Sequence, residues 1–187
     1  MSQARHSSPS SPPVSLRPAA AEDFHAIAEI YGHFVLHGLA SFEEVAPDAA
    51  ELRRRWLALT EKDYPYLVAV QGAHVLGYAY AGPYRPRPAY RFTVENSVYV
   101  APDNGRHGLG GRLLDALIAA CEAAEFRQMI AIIGDSANAA SIGLHRSRGF
   151  VEVGTFKDVG FKHGRWVDSV LMQRALGGGG QTLPQNL

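Results

Sequence analysis

The sequence predicts one domain of α/β (α+β) class, a mostly antiparallel mixed sheet flanked by helices. Three observations carry this. Thr93–Val100 alternates and is rich in β-branched residues. It stops at Pro102-Asp103-Asn104-Gly105, a turn cluster, and apolar residues then recur at helical spacing: Leu109, Leu113, Leu114, Leu117, Ile118 and Cys121. The continuous apolar run Gln128–Ile133 follows, which suits a strand covered on both faces and makes one parallel crossover through the long helix. Two pairs of strand-like runs around short polar turns, at Gln71-Gly72 and His163-Gly164, read as antiparallel hairpins.

Taken in order, the chain opens with a Ser/Pro-rich segment, residues 1–13, expected to be a flexible tail. Val14–Arg17 is a short strand closed by Pro18. Residues 19–36 read as a helix, with Phe24, Ile27, Ile30, Tyr31, Phe34 and Val35 at three- and four-residue steps. A loop from Gly38 to Val45 precedes Pro47 and Asp48, which open a second helix carrying Leu52, Trp56 and Leu59. The first hairpin joins Tyr66–Val70 to Val75–Tyr80. A loop with three prolines, Gly82 to Pro88, leads to the central strand. After the 128–133 strand, Asn138 to Arg148 is a short helix with Gly149 as its C-cap. The second hairpin pairs Phe150–Val159 with Arg165–Met172. The folded domain is expected over 14–176, and residues 177–187, opening with four glycines, form a second flexible tail.

Composition narrows the function. Among 187 residues, 18 Lys and Arg balance 18 Asp and Glu, which argues against a nucleic-acid surface or a basic membrane patch. The single cysteine, Cys121, excludes an intramolecular disulfide and any Cys-based zinc site, and its place on the apolar stripe makes it a core residue. His33 and His37 share a helix face four residues apart, but no third ligand accompanies them, so no metal is expected. No apolar run approaches a membrane span and no signal peptide is present, so a cytoplasmic location is expected.

The strand–loop–helix centred on Gly108, Gly110 and Gly111 is a ready anion site, because a helix N-terminus leaves N–H groups unpaired and carries partial positive charge. A P-loop is missing its lysine, and a dinucleotide fingerprint is missing its third glycine at the required spacing. An acyl-CoA pyrophosphate loop, which ends Gly-x-Gly, and a plain helix cap both remain open on these glycines alone.

Three further segments decide between them. Arg87–Val100, Asn138–His145 and Val159–Asp168 resemble, in order, the GNAT acetyltransferases of the phosphinothricin and methionine sulfoximine/sulfone branch. The resemblance covers roughly residues 14–176 and implies the GNAT acyl-CoA N-acyltransferase fold. It also implies acetyl transfer from acetyl-CoA, used as co-substrate, to the α-amine of a small amino-acid-like substrate, by direct attack through a tetrahedral intermediate. A homodimer is expected by the same analogy. Glu95 would take the amine proton; an unpaired carboxylate in an otherwise apolar strand needs such a reason. Alternation puts Glu95, Ser97 and Tyr99 on one face, and Val94, Asn96, Val98 and Val100 on the other. Val98, Tyr99 and Val100 would offer main-chain groups to the pantetheine arm, with the Val98 N–H as oxyanion donor. His145, where many relatives carry tyrosine, would protonate or contact the thiolate. Asn138 and Ser141 would cap that helix and contact CoA. The loop residues Arg106, His107, Gly108, Leu109, Gly110 and Gly111 would hold the phosphates. Here the chain departs from the family's Arg-Gly-Arg/Lys-Gly-Ile/Leu-Gly, reading Gly105-Arg106-His107-Gly108-Leu109-Gly110, as if two residues had exchanged places. Glu125 also replaces a glycine expected after the long helix. Arg85, Arg87 and Arg91 would bind acidic groups of the substrate, with Phe42 and Tyr90 walling its side chain. Two competing readings are a GNAT acting on another amine, such as a protein N-terminus or polyamine, and a non-catalytic acyl-CoA-binding domain.

Overall fold

Alternating apolar positions build the strands β1 (Ser15–Pro18), β2 (Tyr66–Gln71), β3 (His74–Pro83), β4 (Thr93–Val100), β5 (Gln128–Gly134), β6 (Val151–Lys162) and β7 (Arg165–Ala175). Helical spacing builds α1 (Phe24–His37), α2 (Ala49–Thr60), α3 (Leu109–Ala123) and α4 (Ala139–Arg146). The structure, a computed structural model, describes residues 12–104 and 108–184. Most of the expected N-terminal tail, the loop residues Gly105, Arg106 and His107, and residues 185–187 therefore lie outside the described residues.

The strands form one sheet in the order β1-β2-β3-β4-β5-β7-β6, antiparallel throughout except for β4 and β5. This is the predicted mixed sheet with its single parallel crossover through α3. On one face α3 buries Leu113, Leu114, Leu117 and Cys121 against Val94, Met129, Ala131 and Met172. On the other, Phe24, Ile27 and Val35 of α1 and Leu52 of α2 cover Tyr66, Val68 and Tyr78. Leucines of α3 such as Leu113 are fully buried, so truncating one to alanine should cost about 2–5 kcal/mol.

Local differences from the sequence reading have simple causes. The first helix begins with a 3-10 turn, Ala21–Asp23, because the buried Asp23 carboxylate is taken by Arg17 at 2.8 Å and by the Ala20 N–H at 2.7 Å. Asp48 caps α2 through the Glu51 N–H, as its position predicts. β3 runs on to Pro83 because β4 pairs with it along its whole length. α4 stops at Arg146, and Gly149, at φ +79°, turns the chain into Phe150. Glu125 does hold the left-handed conformation, φ +62°, that a glycine would adopt more easily. After the buried Leu176, Gly177–Gly180 forms turns, and Arg127 donates to Thr182 and to the Leu183 carbonyl at 3.0 Å each.

One irregularity positions everything that follows. β4 and β5 pair only through Thr93↔Gln128, Val94↔Met129 and Glu95↔Ile130. Beyond Glu95, β4 stays with β3 as far as Val100, while β5 stays with β7 as far as Gly134. The two strands part, and a gap opens between them.

Candidate active site

The direction of the main chain at this gap follows from the ladder. In an antiparallel pair, alternate residues turn both their N–H and C=O toward the partner. Ala101 donates to the Leu76 carbonyl and Tyr84 to the Thr93 carbonyl, so odd-numbered residues of β4 face β3. The register between them is unbroken. Asn96, Val98 and Val100 therefore turn their N–H and C=O groups toward the gap, where β5 no longer pairs with them. The side chains obey the predicted alternation: Glu95, Ser97 and Tyr99 face α1 and α2, and Val94, Val98 and Val100 pack on the α3 side.

Glu95 and Ser97 line a cavity of about 270 Å³, together with Tyr31, Ser41, Phe42 and Tyr80. Among the described residues no hydrogen bond reaches the Glu95 carboxylate. Burial raises its pKa, and the positive charge of Arg85 works weakly against that rise. A carboxylate so placed holds a proton more readily than one in water, which suits a base working near neutrality. The lip of the cavity is the segment between α1 and α2. Tyr31 bonds Ser41 and Glu43 at 2.8 Å each, Arg55 reaches Glu43 at 2.7 Å, and the buried Lys162 donates to the Ser41 carbonyl at 2.6 Å. Two glycines permit this approach: a Cβ on Gly134 would collide with the Leu39 carbonyl, and one on Gly160 with the Phe42 ring. The Val159–Asp168 segment thus supplies room for Phe42, the Lys162 anchor, and a turn whose two central residues, His163 and Gly164, both have positive φ.

A smaller cavity, about 60 Å³, lies in the gap itself. Val98, Asn138, Ser141 and His145 line it, and it shares Asn96, Ser97 and Tyr99 with the larger one. Asn138 caps α4 through the Ser141 N–H at 3.1 Å. His145 is 4% exposed. Its Nδ1 lies 2.8 Å from the Ser141 carbonyl and its Nε2 lies 3.0 Å from Asn96 Oδ1. The Asn96 amide donates its Nδ2 to the Ile130 carbonyl at 3.0 Å, which fixes Oδ1 toward the imidazole. Both ring nitrogens therefore face acceptors, an arrangement a doubly protonated ring satisfies fully and a neutral one only by half. Burial opposes that charge and lowers the pKa, while the Ser141 carbonyl raises it. Burial is the larger effect, so the ring is mostly neutral at neutral pH.

The remaining candidates divide. Gly108 starts α3 in the left-handed conformation, φ +70°, and Leu109 is core. A Cβ on Gly110 would touch Leu144 and Val100 at ordinary distance, whereas one on Gly111 would strike the Arg148 guanidinium that reaches Asp115. Gly111 thus also serves packing between α3 and the end of α4. Arg106 and His107 lie outside the described residues. In the proline-rich loop before β4, Arg85 stacks on Tyr84 with 4.9 Å to the ring centroid and acts on Glu95 through its charge. Arg85, Arg87, Tyr90 and Arg91 are all exposed and none of them lines the Glu95 cavity; Arg91 covers Phe92. Val100 packs on the core beside α3, and Tyr99 is ringed by Tyr31, Phe34 and Tyr78 at 5.2–5.3 Å. Sequence reasoning missed Asn96, Tyr31, Ser41 and Tyr80 as site residues. For Asn96 a signal existed: one amide among the valines of a buried strand face requires a partner. Among the described residues, no group of three His, Cys, Asp or Glu side chains could hold a metal.

A strand gap with outward main-chain groups, a glycine-started helix beside it and a half-buried carboxylate at its edge match what the acyltransferase resemblance implies. The acetyltransferase (GNAT) domain family matches residues 16–171, and the chain belongs to it. Within that family, it is 56% identical over 164 residues to the phosphinothricin N-acetyltransferase of Alcaligenes faecalis, covering 88% of this chain and 83% of the relative. It is 45% identical over 162 residues to the L-methionine sulfoximine/L-methionine sulfone acetyltransferase of Pseudomonas paraeruginosa, covering 86% and 93%. A GNAT superfamily phosphinothricin acetyltransferase from Sinorhizobium meliloti, solved in complex with AcCoA, superposes with a TM-score of 0.89 at 47% identity, over 92% of this chain and 94% of that one.

Proposed function

We propose that this chain acetylates the α-amine of a small amino acid of the phosphinothricin or methionine sulfone type, with acetyl-CoA supplying the acetyl group. The carrying observation is Glu95, a half-buried carboxylate with raised pKa and no hydrogen-bond partner among the described residues, at the edge of the β4–β5 gap. Glu95 takes the proton of the bound ammonium, directly or through water, and frees the amine to attack. The gap fits an extended acyl carrier, because Val98 and Val100 present N–H and C=O groups that β5 does not pair. The Val98 N–H is the donor that meets the developing oxyanion. His145 gives the departing sulfur its Nε2 proton, which leaves its bond to Asn96 Oδ1 as the ring becomes neutral. Asn96 and the Ser141 carbonyl hold the ring in one orientation, and the doubly protonated form is the one able to give.

Arg85, the arginine whose charge reaches Glu95, holds the substrate carboxylate. The test is acetyl-CoA turnover with free-thiol detection over a panel of amines. Phosphinothricin and methionine sulfone should exceed glutamate and methionine by about tenfold or more in kcat/KM, the worth of one charged hydrogen bond to a tetrahedral oxygen. Equal turnover of all four would overturn the substrate class, and no thiol release with any amine would overturn the enzyme reading.

We also propose a cytoplasmic homodimer. Among the described residues no helix is long and apolar enough to cross a membrane. The edge strand β6 and its partner β7 expose Val151, Val153, Phe156, Val159, Phe161 and Trp166, each more than half accessible. An edge strand with such an apolar face favours pairing with a second copy. Phe156→Glu should convert a dimer to monomer in light scattering, and a wild-type monomer would remove the proposal.

A further inference from the structure

The Val159–Asp168 segment carries one charged group that the acetyl-transfer steps leave unused. Ser169 lines the Glu95 cavity, so Asp168 points to the opposite face of β7, the side on which Val170 and Met172 meet the α3 core. β6 bulges opposite it. The register runs Phe156↔Ser169 and then Gly160↔Val167, and Asp158 stands at φ +53°. A bulge re-aims the groups it carries. This one brings Lys157 Nζ to 2.8 Å and the Asp158 N–H to 3.1 Å from the Asp168 carboxylate. The ladder resumes on both sides of the bulge, so strand pairing does not run through this carboxylate.

The carboxylate also holds a turn on another element. Ser136 Oγ donates to Asp168 Oδ2 at 2.6 Å, and the Asp135 N–H donates to the Asp168 carbonyl at 2.9 Å. Lys157, Ser136 and the Asp158 N–H together hold the Asp168 carboxyl down to about 2, so it stays ionised at neutral pH. Asp135 and Ser136 begin the turn from β5 into α4, and hydrogen bonds continue from there. The Asp135 carbonyl accepts the Asn138 N–H at 3.0 Å, Asn138 Oδ1 accepts the Ser141 N–H at 3.1 Å, and the Ser141 carbonyl faces His145 Nδ1 at 2.8 Å. α4 has only eight residues, too few to hold itself in place, so its position depends on what anchors its ends. The ring needs that anchor, because its Nε2 must meet Asn96 Oδ1, on β4, at 3.0 Å. We propose that Asp168 is a positioning residue for acetyl transfer: through Ser136 and the turn from Asp135 to Asn138 it fixes the start of α4, and with it the His145 imidazole. The inference rests on the acid role proposed for His145.

A double-mutant cycle tests it. Asp168→Asn keeps the shape, removes the charge and turns amide hydrogens toward Ser136 and Lys157, which are themselves donors there. Ser136→Ala removes only the link to the turn, and as a change at an exposed residue it should fold even where the first variant does not. Thermal denaturation verifies folding. Each variant should lower kcat by about three- to a hundredfold, the range open to a lost positioning contact, with the acceptor KM within about twofold. In a His145→Phe background the same changes should cost less than about twofold, since the group they position is gone. An equal loss in both backgrounds would make Asp168 a structural residue only. An unchanged kcat in both variants, or a loss confined to the acceptor KM, would also overturn the proposal, and in each case the acid role of His145 stands. A wild-type rate for His145→Phe itself would remove that acid role and this inference with it.

Discussion

Replacing Glu95 by glutamine should make the protein slower and, at neutral pH, more stable. The two effects share one cause. Glu95 is held among Tyr31, Tyr80 and Ser97 with no hydrogen bond from the described residues, and burial raises its pKa despite Arg85. A raised carboxyl binds its proton more tightly in the folded protein than in the unfolded chain, so ionising it opposes folding. That penalty is absent below the unfolded carboxyl pKa, about 4.5. It grows as pH rises from that value toward the folded one and is complete above it. Glutamine keeps the shape and removes the charge. For a domain of this length each kcal/mol recovered should raise Tm by about 2–4 °C. The rate should meanwhile fall by about 10² to 10⁴ at neutral pH, the usual worth of a positioned base, and recover in part at higher pH as solvent deprotonates the amine. Differential scanning from acid to neutral pH, beside steady-state thiol release, measures both. A Tm advantage that is absent at neutral pH, or is as large in acid, would refute the burial argument. A wild-type rate would refute the base.

Three other outcomes follow from the same geometry. His145→Phe should lose most relative to wild type on the acid side, where the doubly protonated ring is populated. Because burial lowers the histidine pKa, the ratio of the two rates should shrink as pH rises, and a ratio independent of pH would remove the proton from its role. Asn96→Leu leaves the Ile130 carbonyl and His145 Nε2 without partners, so calorimetry should show a loss of about 1–3 kcal/mol for each. Gly110→Asp adds a carboxylate beside the start of α3 and should raise the acetyl-CoA KM by at least about tenfold, equivalent to about 1.4 kcal/mol, with the fold intact; an unchanged KM would exclude the loop from donor binding.

Much of this was legible in the sequence because period and punctuation are local. The alternation of Thr93–Val100, the cap at Asp48 and the turn at His163-Gly164 all involve neighbours a few residues apart. What was not legible joins distant segments. The Asn96–His145 contact spans 49 positions and the Lys162–Ser41 contact 121, and no spacing rule reaches across them. The proline-rich loop before β4 misleads for the opposite reason. Arg85, Arg87 and Arg91 are close in sequence and look like one cluster, yet only Arg85 acts on Glu95. All three are exposed, and the 3-10 turn at Pro88–Tyr90 separates Arg87 from Arg91.

The parity of β4 ties these observations into one arrangement. A strand offers three directions: one face, the other face, and the edge. In β4 the odd side chains point Glu95 into the proposed acceptor cavity, while the even side chains include Asn96, which holds the imidazole. The even main-chain groups meet the gap that opens where β5 departs. The proposed base Glu95, the amide Asn96 that holds the His145 ring, and the proposed oxyanion donor Val98 thereby fall within four consecutive residues of one strand, without any loop to position them. Inserting or deleting one residue before Glu95 would exchange all three directions at once. It would bury the carboxylate against α3 and turn Asn96 into the acceptor cavity. The same reasoning explains why a single amide stands among valines. It is the one polar group that can satisfy both the Ile130 carbonyl on β5 and the ring on α4. A hydrophobic residue there would continue the core across the place where the strands must part.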